Sequence, residues 1–305
     1  AEIAEEIATR HTNSTYLPGR HLGTSLRATH AFGEAMRGAD TIIVAVPSEG
    51  VRAVLDGTSG AIEPEATILS VVKGLERGSD QRMSEVIAQC WPGHSVGVLT
   101  GPNLAVEILD GQPSASVVAF DDPALSHRMQ VLLSSDRLRV YTNPDVVGCE
   151  IAGVVKNVLA IAVGLAVGLG FGDNTRAALI TRSLAELTRI GVALGGDTRT
   201  FAGLAGLGDL VATCTSERSR NFRLGLELGR GRSIVEAVGG SRMIAEGFGS
   251  SIPTLDLARR LGVDAPIVEQ VVAVCHQGRA PAETIAQLMG RTARPEFDQF
   301  EPQDD

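Results

Sequence analysis

The feature that most constrains the fold is a series of short apolar segments in the first half of the chain. Three of them lie at residues 41–46, 67–72 and 95–99, and helical patterns separate them. Two more strand patterns follow at residues 114–119 and 138–141. Continuous apolar strands that alternate with helices are typical of a parallel sheet covered on both faces. The pattern therefore predicts an α/β domain.

The second half of the chain shows only helical patterns. Residues 150–168 form a long apolar helix pattern, and a second helix, which Asn174 or Thr175 can cap, runs to about Leu194. A chain of 305 residues is long enough for two domains. We predict an α/β domain at residues 1–142, an all-helical domain at residues 143–291 and a disordered acidic tail at residues 292–305.

The carboxyl ends of the predicted strands form a candidate ligand-binding edge. Turn-forming and polar residues follow each of the first three strands, namely Pro47, Ser48, Lys73, Gly74 and Gly101. In open α/β sheets, ligands bind at this edge. Any single loop of this kind is common, but three on one edge, one of which carries a lysine, favour a binding site.

Lysine is rare in this chain, and its two positions need an explanation. Of the 27 Lys and Arg residues, only Lys73 and Lys156 are lysines, and both lie in apolar segments. An ammonium can shift its pKa and transfer a proton, whereas a guanidinium stays charged. Lys156, within the long apolar helix pattern, is therefore the main candidate for proton transfer. The alternative is a lysine whose side chain extends along the helix to water.

A second polar region follows the long helices. Asp209 is the single charge of a Gly-rich stretch, where it can bind a ligand or cap the next turn. Arg218, Arg220 and Arg223 come shortly after it. Guanidinium groups bind phosphate with two parallel hydrogen bonds, so this cluster favours a phosphorylated ligand. A solvated charged surface is the alternative.

Composition excludes several other functions. A net charge of −9 with 4% aromatic residues argues against nucleic acid as a partner. The four cysteines are far apart and the six histidines lack metal-ligand spacing, so we predict reduced thiols in the cytoplasm and no metal site. The longest uncharged apolar run, residues 157–172, is shorter than a membrane span needs.

Several short segments together resemble the bacterial-type NAD(P)-dependent glycerol-3-phosphate dehydrogenases. The resemblance runs from Ala1 to about Arg291 and includes Val72-Lys73-Gly74-Leu75-Glu76, Thr100-Gly101-Pro102-Asn103-Leu104-Ala105, Val155-Lys156-Asn157, Ala205-Gly206-Leu207-Gly208-Asp209-Leu210 and Ser219-Arg220-Asn221. Each segment is weak alone, but the ordered set is specific. The resemblance implies a Rossmann-like NAD(P)-binding domain followed by a helical domain like that of 6-phosphogluconate dehydrogenase.

The resemblance also implies a reaction and the residues that perform it. The family interconverts dihydroxyacetone phosphate and sn-glycerol 3-phosphate with NAD or NADP, which supplies glycerol 3-phosphate for glycerophospholipid synthesis, and it suggests a homodimer. Lys156 is expected to be the proton donor and acceptor. The expected substrate-binding residues are Lys73, Gly101, Asn103, Lys156, Asp209, Ser219, Arg220 and Asn221. The expected cofactor-binding residues are Lys73, Ala105, Arg220, Ile244 and Glu246.

Two departures from the family pattern leave alternatives open. Asn103 stands where relatives often carry a hydroxyl residue, although its amide can donate a similar hydrogen bond. The chain contains no G-x-G-x-x-G motif, and we expect the segment that carries it to precede Ala1. The alternatives are a related two-domain dehydrogenase of another hydroxy acid and a truncated, non-catalytic fragment. The arginine cluster favours the phosphorylated substrate.

Overall fold

The computed structural model describes residues 2–238 and 245–292. Its first half contains a five-stranded sheet with the spatial order β3-β4-β5-β6-β7 and, before it, a two-stranded hairpin. The strands are β1 Thr12–Asn13, β2 Leu17–His21, β3 Thr41–Val44, β4 Thr67–Ser70, β5 Val96–Thr100, β6 Ser114–Ala119 and β7 Leu138–Asn143. The five strands predicted from the apolar segments are therefore confirmed, with slightly different ends.

Helices connect the strands and then form the whole second half. Those of the first half are α1 Glu2–Arg10, α2 Phe32–Met36, α3 Val51–Leu55, α4 Met83–Cys90, α5 Ala105–Leu109 and α6 Pro123–Leu133. Those of the second half are α7 Val146–Gly168, α8 Asp173–Ala193, α9 Thr198–Ala202, α10 Asp209–Thr215, α11 Arg220–Gly229, α12 Ile234–Val238, α13 Glu246–Arg260, α14 Pro266–Gln277 and α15 Pro281–Met289. The predicted α/β half followed by an all-helical half is confirmed.

The sheet differs from the simplest prediction at one pair of strands. β3, β4 and β5 are mutually parallel, and β6 is parallel to β7. β5 and β6 are antiparallel, with Val98 opposite Ala119. The connection between them contains only the five-residue helix α5, which is shorter than the helices that usually join parallel strands.

One local detail of the sequence prediction is corrected, and another stays a prediction. α8 begins at Asp173 and has Gly172 at its N-cap position without a side-chain cap, so neither Asn174 nor Thr175 caps it. The acidic tail predicted at residues 292–305 lies outside the described residues from residue 293 onward.

The core of the helical half is built around α7. All but the ends of this 23-residue helix are buried. Glycines let it pack backbone to backbone against α11. A Cβ at Gly164 would lie 2.1 Å from the Phe222 carbonyl oxygen, and a Cβ at Gly225 would lie 2.0 Å from that of Ile161. The small residues of the α7 pattern are therefore needed for the close approach of two helices.

The same burial accounts for the hydropathy of α7. Among the described residues, it is the one helix long and apolar enough to span a membrane by composition, and 89% of its most apolar window is buried inside the molecule. A fully buried central helix is expected to be apolar on all its faces.

Candidate active site

The candidate site lies where the carboxyl ends of the strands meet α7. Lys73 follows β4, and Gly101 and Asn103 follow β5. α7 brings Lys156 to these loops. Asp209 reaches the same place because it opens α10 immediately after a single wide helical turn, Leu204–Gly208. Four elements that are distant in sequence thus place five of the predicted residues together.

Asp209 joins the two lysines of the chain. Lys156 Nζ donates to Asp209 Oδ1 over 2.6 Å, and Lys73 Nζ donates to Asp209 Oδ2 over 2.8 Å. The side chains of Lys156 and Asp209 are only 7% and 3% exposed, and that of Lys73 is 14% exposed. One carboxylate therefore holds two ammonium groups, and all three charged groups are largely shielded from solvent.

This arrangement shifts the ionisation of both partners. Burial and, after it, the nearby charge of Lys73 lower the pKa of Lys156, Asp209 opposes the shift, and the net pKa is about 8. Burial by itself would raise the pKa of Asp209, but Lys73 and Lys156 more than offset this and hold that pKa below its ordinary value. At neutral pH the centre therefore contains an ionised carboxylate beside an ammonium group that can readily lose its proton.

The hydrogen bonds distinguish the two lysines. Lys73 Nζ has three acceptors, which are the Gly101 carbonyl oxygen at 3.2 Å, Asn103 Oδ1 at 3.1 Å and Asp209. Lys156 Nζ has two acceptors among the described residues, Asp209 and Thr213 Oγ1 at 2.7 Å. An ammonium carries three N–H donors. Lys156 therefore retains a donor for a substrate oxygen, whereas Lys73 is held by the protein.

A second network of polar side chains adjoins Lys156. Asn157 Nδ2 donates to Glu246 Oε2 over 3.1 Å, and Asn221 Nδ2 donates to Asn157 Oδ1 over 2.9 Å. Asn221 Oδ1 in turn accepts from the Gly247 amide over 2.8 Å. Glu246 also lies 3.8 Å from an Arg220 guanidinium nitrogen. The network connects α7, α11 and α13. Residues predicted to bind the substrate therefore lie beside residues predicted to bind the cofactor.

Three of the predicted residues are not part of these two hydrogen-bonded networks. Ser219 caps α11 and accepts a hydrogen bond from the Phe222 amide, which leaves its hydroxyl hydrogen for a ligand. Ala105 begins the short helix α5 and is exposed, two residues beyond Asn103. Ile244 lies outside the described residues.

The structure adds two residues that sequence reasoning did not place in the site. Thr213 donates to the Asp209 carbonyl oxygen over 2.6 Å and accepts from Lys156. Asn157 links Lys156's helix to Glu246. The position of Thr213 carried a signal, because it lies four residues after Asp209 on a helix, and residues so spaced share a face.

The donors around the site fit an anionic cofactor and an anionic substrate. The Arg220 side chain is 35% exposed, whereas Lys156 and Asp209 are buried. A partly exposed guanidinium suits a phosphate, and a buried proton donor suits a carbonyl oxygen. Among the described residues, no group of three or more His, Cys, Asp or Glu side chains could hold a metal ion.

Family models match both halves of the chain. The model described as NAD-dependent glycerol-3-phosphate dehydrogenase N-terminus matches residues 1–126, and the model of the C-terminus matches residues 145–286. A protein of Streptomyces griseus named glycerol-3-phosphate dehydrogenase [NAD(P)+] is 50% identical over 298 residues, which are 97% of this chain and 89% of that protein. The protein of the same name from Thermobifida fusca is 51% identical over 297 residues, 97% of this chain and 88% of its own.

Solved structures agree with these matches. A crystal structure of glycerol-3-phosphate dehydrogenase from Coxiella burnetii superposes with a TM-score of 0.91 at 35% identity. The superposition covers 95% of this chain and 89% of the Coxiella chain. The similarity in sequence and in structure therefore extends over both halves of the chain.

Proposed function

The chain belongs to the family of NAD-dependent glycerol-3-phosphate dehydrogenases, and we propose that it interconverts dihydroxyacetone phosphate and sn-glycerol 3-phosphate with NAD or NADP. Relatives that carry this name share about half of their residues with the chain over nearly its whole length. The reaction moves one hydride and one proton. When bound, the nicotinamide supplies the hydride chemistry, and the residues of the protein must supply or accept the proton.

One observation carries the assignment of the proton to Lys156. This buried lysine has a pKa lowered to about 8, and it retains an N–H donor that the described residues do not use. A general acid works best when its pKa lies near the working pH. In the direction of reduction, Lys156 donates its proton to the C2 oxygen of dihydroxyacetone phosphate. In the direction of oxidation, neutral Lys156 accepts the proton of the C2 hydroxyl.

Lys73 and Asp209 hold this group in place. Asp209 orients the ammonium of Lys156, and Lys73 keeps Asp209 ionised. The positive charge of Lys73 also favours the negative charge that develops on the substrate oxygen. Gly101 and Asn103 accept hydrogen bonds from Lys73 in the loop that follows β5.

The phosphate of the substrate is assigned to the start of α11. Ser219, Arg220 and Asn221 occupy the N-cap and first turn of this ten-residue helix. Amide groups and the dipole at a helix N-terminus favour an anion, and a guanidinium adds a bidentate partner. The hydroxyl hydrogen of Ser219 and the second N–H of the Asn221 amide are further donors for the phosphate.

The cofactor is assigned to Lys73, Ala105, Arg220, Ile244 and Glu246 together with the strand ends. Arg220 and Glu246 lie 3.8 Å apart, and Glu246 is hydrogen-bonded to Asn157, the residue after the proton donor. Ala105 is exposed at the start of α5, so a ligand can reach it without displacing another side chain. These residues bind and orient the cofactor.

We also propose a domain division, an oligomeric state and a cellular role for the enzyme. We place the domain division between residues 142 and 143, at the last residue of β7 and shortly before α7 begins at Val146. We also propose a cytoplasmic homodimer that supplies glycerol 3-phosphate for glycerophospholipid synthesis, as the family resemblance implies. Sedimentation equilibrium of the purified protein tests the dimer.

Turnover with defined substrates tests the proposed function. Oxidation of NADH and of NADPH is followed with dihydroxyacetone phosphate and with unphosphorylated dihydroxyacetone and 2-ketoacids as controls. We expect activity with the phosphorylated ketone and little with the others. Equal or greater activity with a ketoacid would assign the chain to another hydroxy acid dehydrogenase.

A further inference from the structure

We propose that Glu150, a buried glutamate outside the candidate site, is the positioning residue that keeps Lys73 beside Lys156. It acts on the loop between β4 and α4, which carries Lys73 at one end and Arg82 at the other. The kinetic part of this inference rests on the proposed function, whereas its geometric part does not. No atom of Glu150 belongs to the hydrogen-bonded networks of the site.

Glu150 is a buried carboxyl group that accepts three hydrogen bonds from two residues of the other half of the molecule. Burial raises its pKa, and Arg82 and Ser84 oppose that shift. It is 3% exposed and lies on α7. Its Oε2 accepts from Arg82 Nη1 over 3.0 Å and from Ser84 Oγ over 2.6 Å, and its Oε1 accepts from the Ser84 amide over 2.9 Å. Buried carboxylates are costly unless they are paired in this way. The contacts fix the start of α4 against α7.

Backbone contacts within the loop connect the position of Arg82 to that of Lys73. An antiparallel bridge joins Leu75 to Arg82, and the Glu76 amide donates to the Gln81 carbonyl oxygen over 2.9 Å. Leu75 is 4% exposed and belongs to the core around α7. Since the two ends of the loop are bonded to each other, holding Arg82 also holds Leu75, two residues after Lys73.

Three residues of α7 set the loop in register with the catalytic lysine. Glu150, Gly153 and Lys156 follow one another at intervals of three residues along the helix. A Cβ at Gly153 would lie 3.5 Å from Lys73 Cγ and 3.6 Å from its Cδ, so the Lys73 side chain passes directly over this glycine. Within about 9 Å of helix, Glu150 therefore binds the end of the loop, Gly153 contacts the aliphatic part of Lys73, and Lys156 lies in the candidate site.

The charges around Lys156 give this inference a test with an unambiguous sign. Three nearby charges shift the pKa of Lys156. The charge of Lys73 lowers this pKa, and the charges of Asp209 and Glu246 raise it. Burial raises the pKa of the neighbouring Cys214 to about 12, so this thiol stays neutral. If Glu150→Gln acted only through the lost negative charge, the pKa of Lys156 would fall. If the variant lets Lys73 move away, that pKa rises toward the ordinary value of lysine.

NMR titration of ¹³C-labelled lysine measures this directly, because the chain has only two lysines to assign. We compare the wild-type protein with Glu150→Gln. The matched control is Glu186→Gln, because Glu186 is also buried (1% exposed) and binds the Ile267 and Val268 amides at the start of α14, away from the site. We expect the pKa of Lys156 to rise in Glu150→Gln and to stay unchanged in Glu186→Gln.

A gentler variant covers the case in which Glu150→Gln does not fold. Ser84→Ala removes one hydrogen bond to Glu150 and keeps the charge pair with Arg82. It should shift the Lys156 titration in the same direction by a smaller amount. An unchanged or lowered pKa of Lys156 in a folded variant would overturn the inference, as would an equal rise in Glu186→Gln.

Kinetics provide the second measurement. Displacement of a positioned group by about 1 Å can cost up to 10²-fold in rate, so we expect kcat for dihydroxyacetone phosphate to fall about 10-fold to 10²-fold in Glu150→Gln. The KM of the phosphorylated substrate should change little, because Arg220 is untouched. If wild-type protein shows no turnover, the proposed function fails, and the lysine titration still decides the role of Glu150.

Discussion

Lys156 donates a 2.6 Å hydrogen bond to Asp209 across 53 residues of sequence, in a site where both side chains are almost fully buried. The bond orients the ammonium and stabilises its charge, while burial and Lys73 destabilise that charge. The balance leaves a lysine that can both donate and accept a proton near neutral pH. The predictions below test this balance and the packing that supports it.

Replacing Lys156 by arginine should nearly abolish turnover and leave the fold intact. Arginine keeps the positive charge beside Asp209 but does not release a proton in proteins. General acid–base groups contribute about 10²–10⁴ in rate, so kcat should fall by that factor. Steady-state kinetics and circular dichroism check the two parts, with the exposed Arg199→Lys as a control. A variant that kept more than about a tenth of wild-type kcat would remove proton transfer from Lys156.

The two directions of the reaction should depend on pH with opposite signs around about 8, the lowered pKa of Lys156. Reduction requires the ammonium, so its kcat should decline as the pH rises through this value. Oxidation requires the neutral amine, so its kcat should increase over the same range. Initial rates in both directions across this window provide the measurement. Profiles that move in the same direction would mean that another group carries the proton.

Arg220→Lys should mainly raise the KM of dihydroxyacetone phosphate. The substitution keeps a positive charge but loses the two parallel donors that match a phosphate. The matched control is Arg223→Lys, because Arg223 is an exposed arginine on the same helix, three residues further on. Substrate titrations at saturating cofactor measure both variants. Equal KM values in the wild type and in Arg220→Lys would place the phosphate elsewhere.

Gly164→Ala should destabilise the protein without acting on the site. The added Cβ would lie 2.1 Å from the Phe222 carbonyl oxygen, so α7 and α11 must move apart. Overpacking of this kind typically costs about 1–3 kcal/mol of the free energy of unfolding. Urea unfolding measures the loss. Gly153→Ala is the comparison, because its nearest neighbour is the Thr100 hydroxyl at 3.0 Å, and it should reduce kcat more than stability.

Glu186 should make the stability depend on pH in the weakly acidic range. Burial raises its pKa from 4.5 to about 7 in the folded protein. Between these values the folded state keeps a proton that the unfolded state releases, so the free energy of unfolding should fall as the pH rises. Urea unfolding at several pH values should show a flatter curve for Glu186→Gln. Glu269→Gln, on the exposed side of α14, should leave the slope unchanged.

The candidate site was predictable where residue type alone restricts the chemistry. The two lysines stood out because the other 25 Lys and Arg residues are all arginines. The apolar residues on either side of each lysine indicated that it is buried. Thr213 was missed because a threonine four residues after an aspartate is a common helix pattern. Asn157 was missed because an amide next to a lysine carries no sign of its partner in α13.

The sequence by itself determined the two halves, the strands and the main candidates for chemistry, because hydrophobic periodicity and residue type are local properties. It did not determine that β5 and β6 run antiparallel, that Asp209 binds both lysines or that Glu150 holds the Lys73 loop. The two lysine contacts of Asp209 join residues 53 and 136 positions apart, and the Glu150 contacts join residues 66 and 68 positions apart. Only the packing of α7 against the strand ends decides which of these side chains meet, because burial makes each unpaired partner costly.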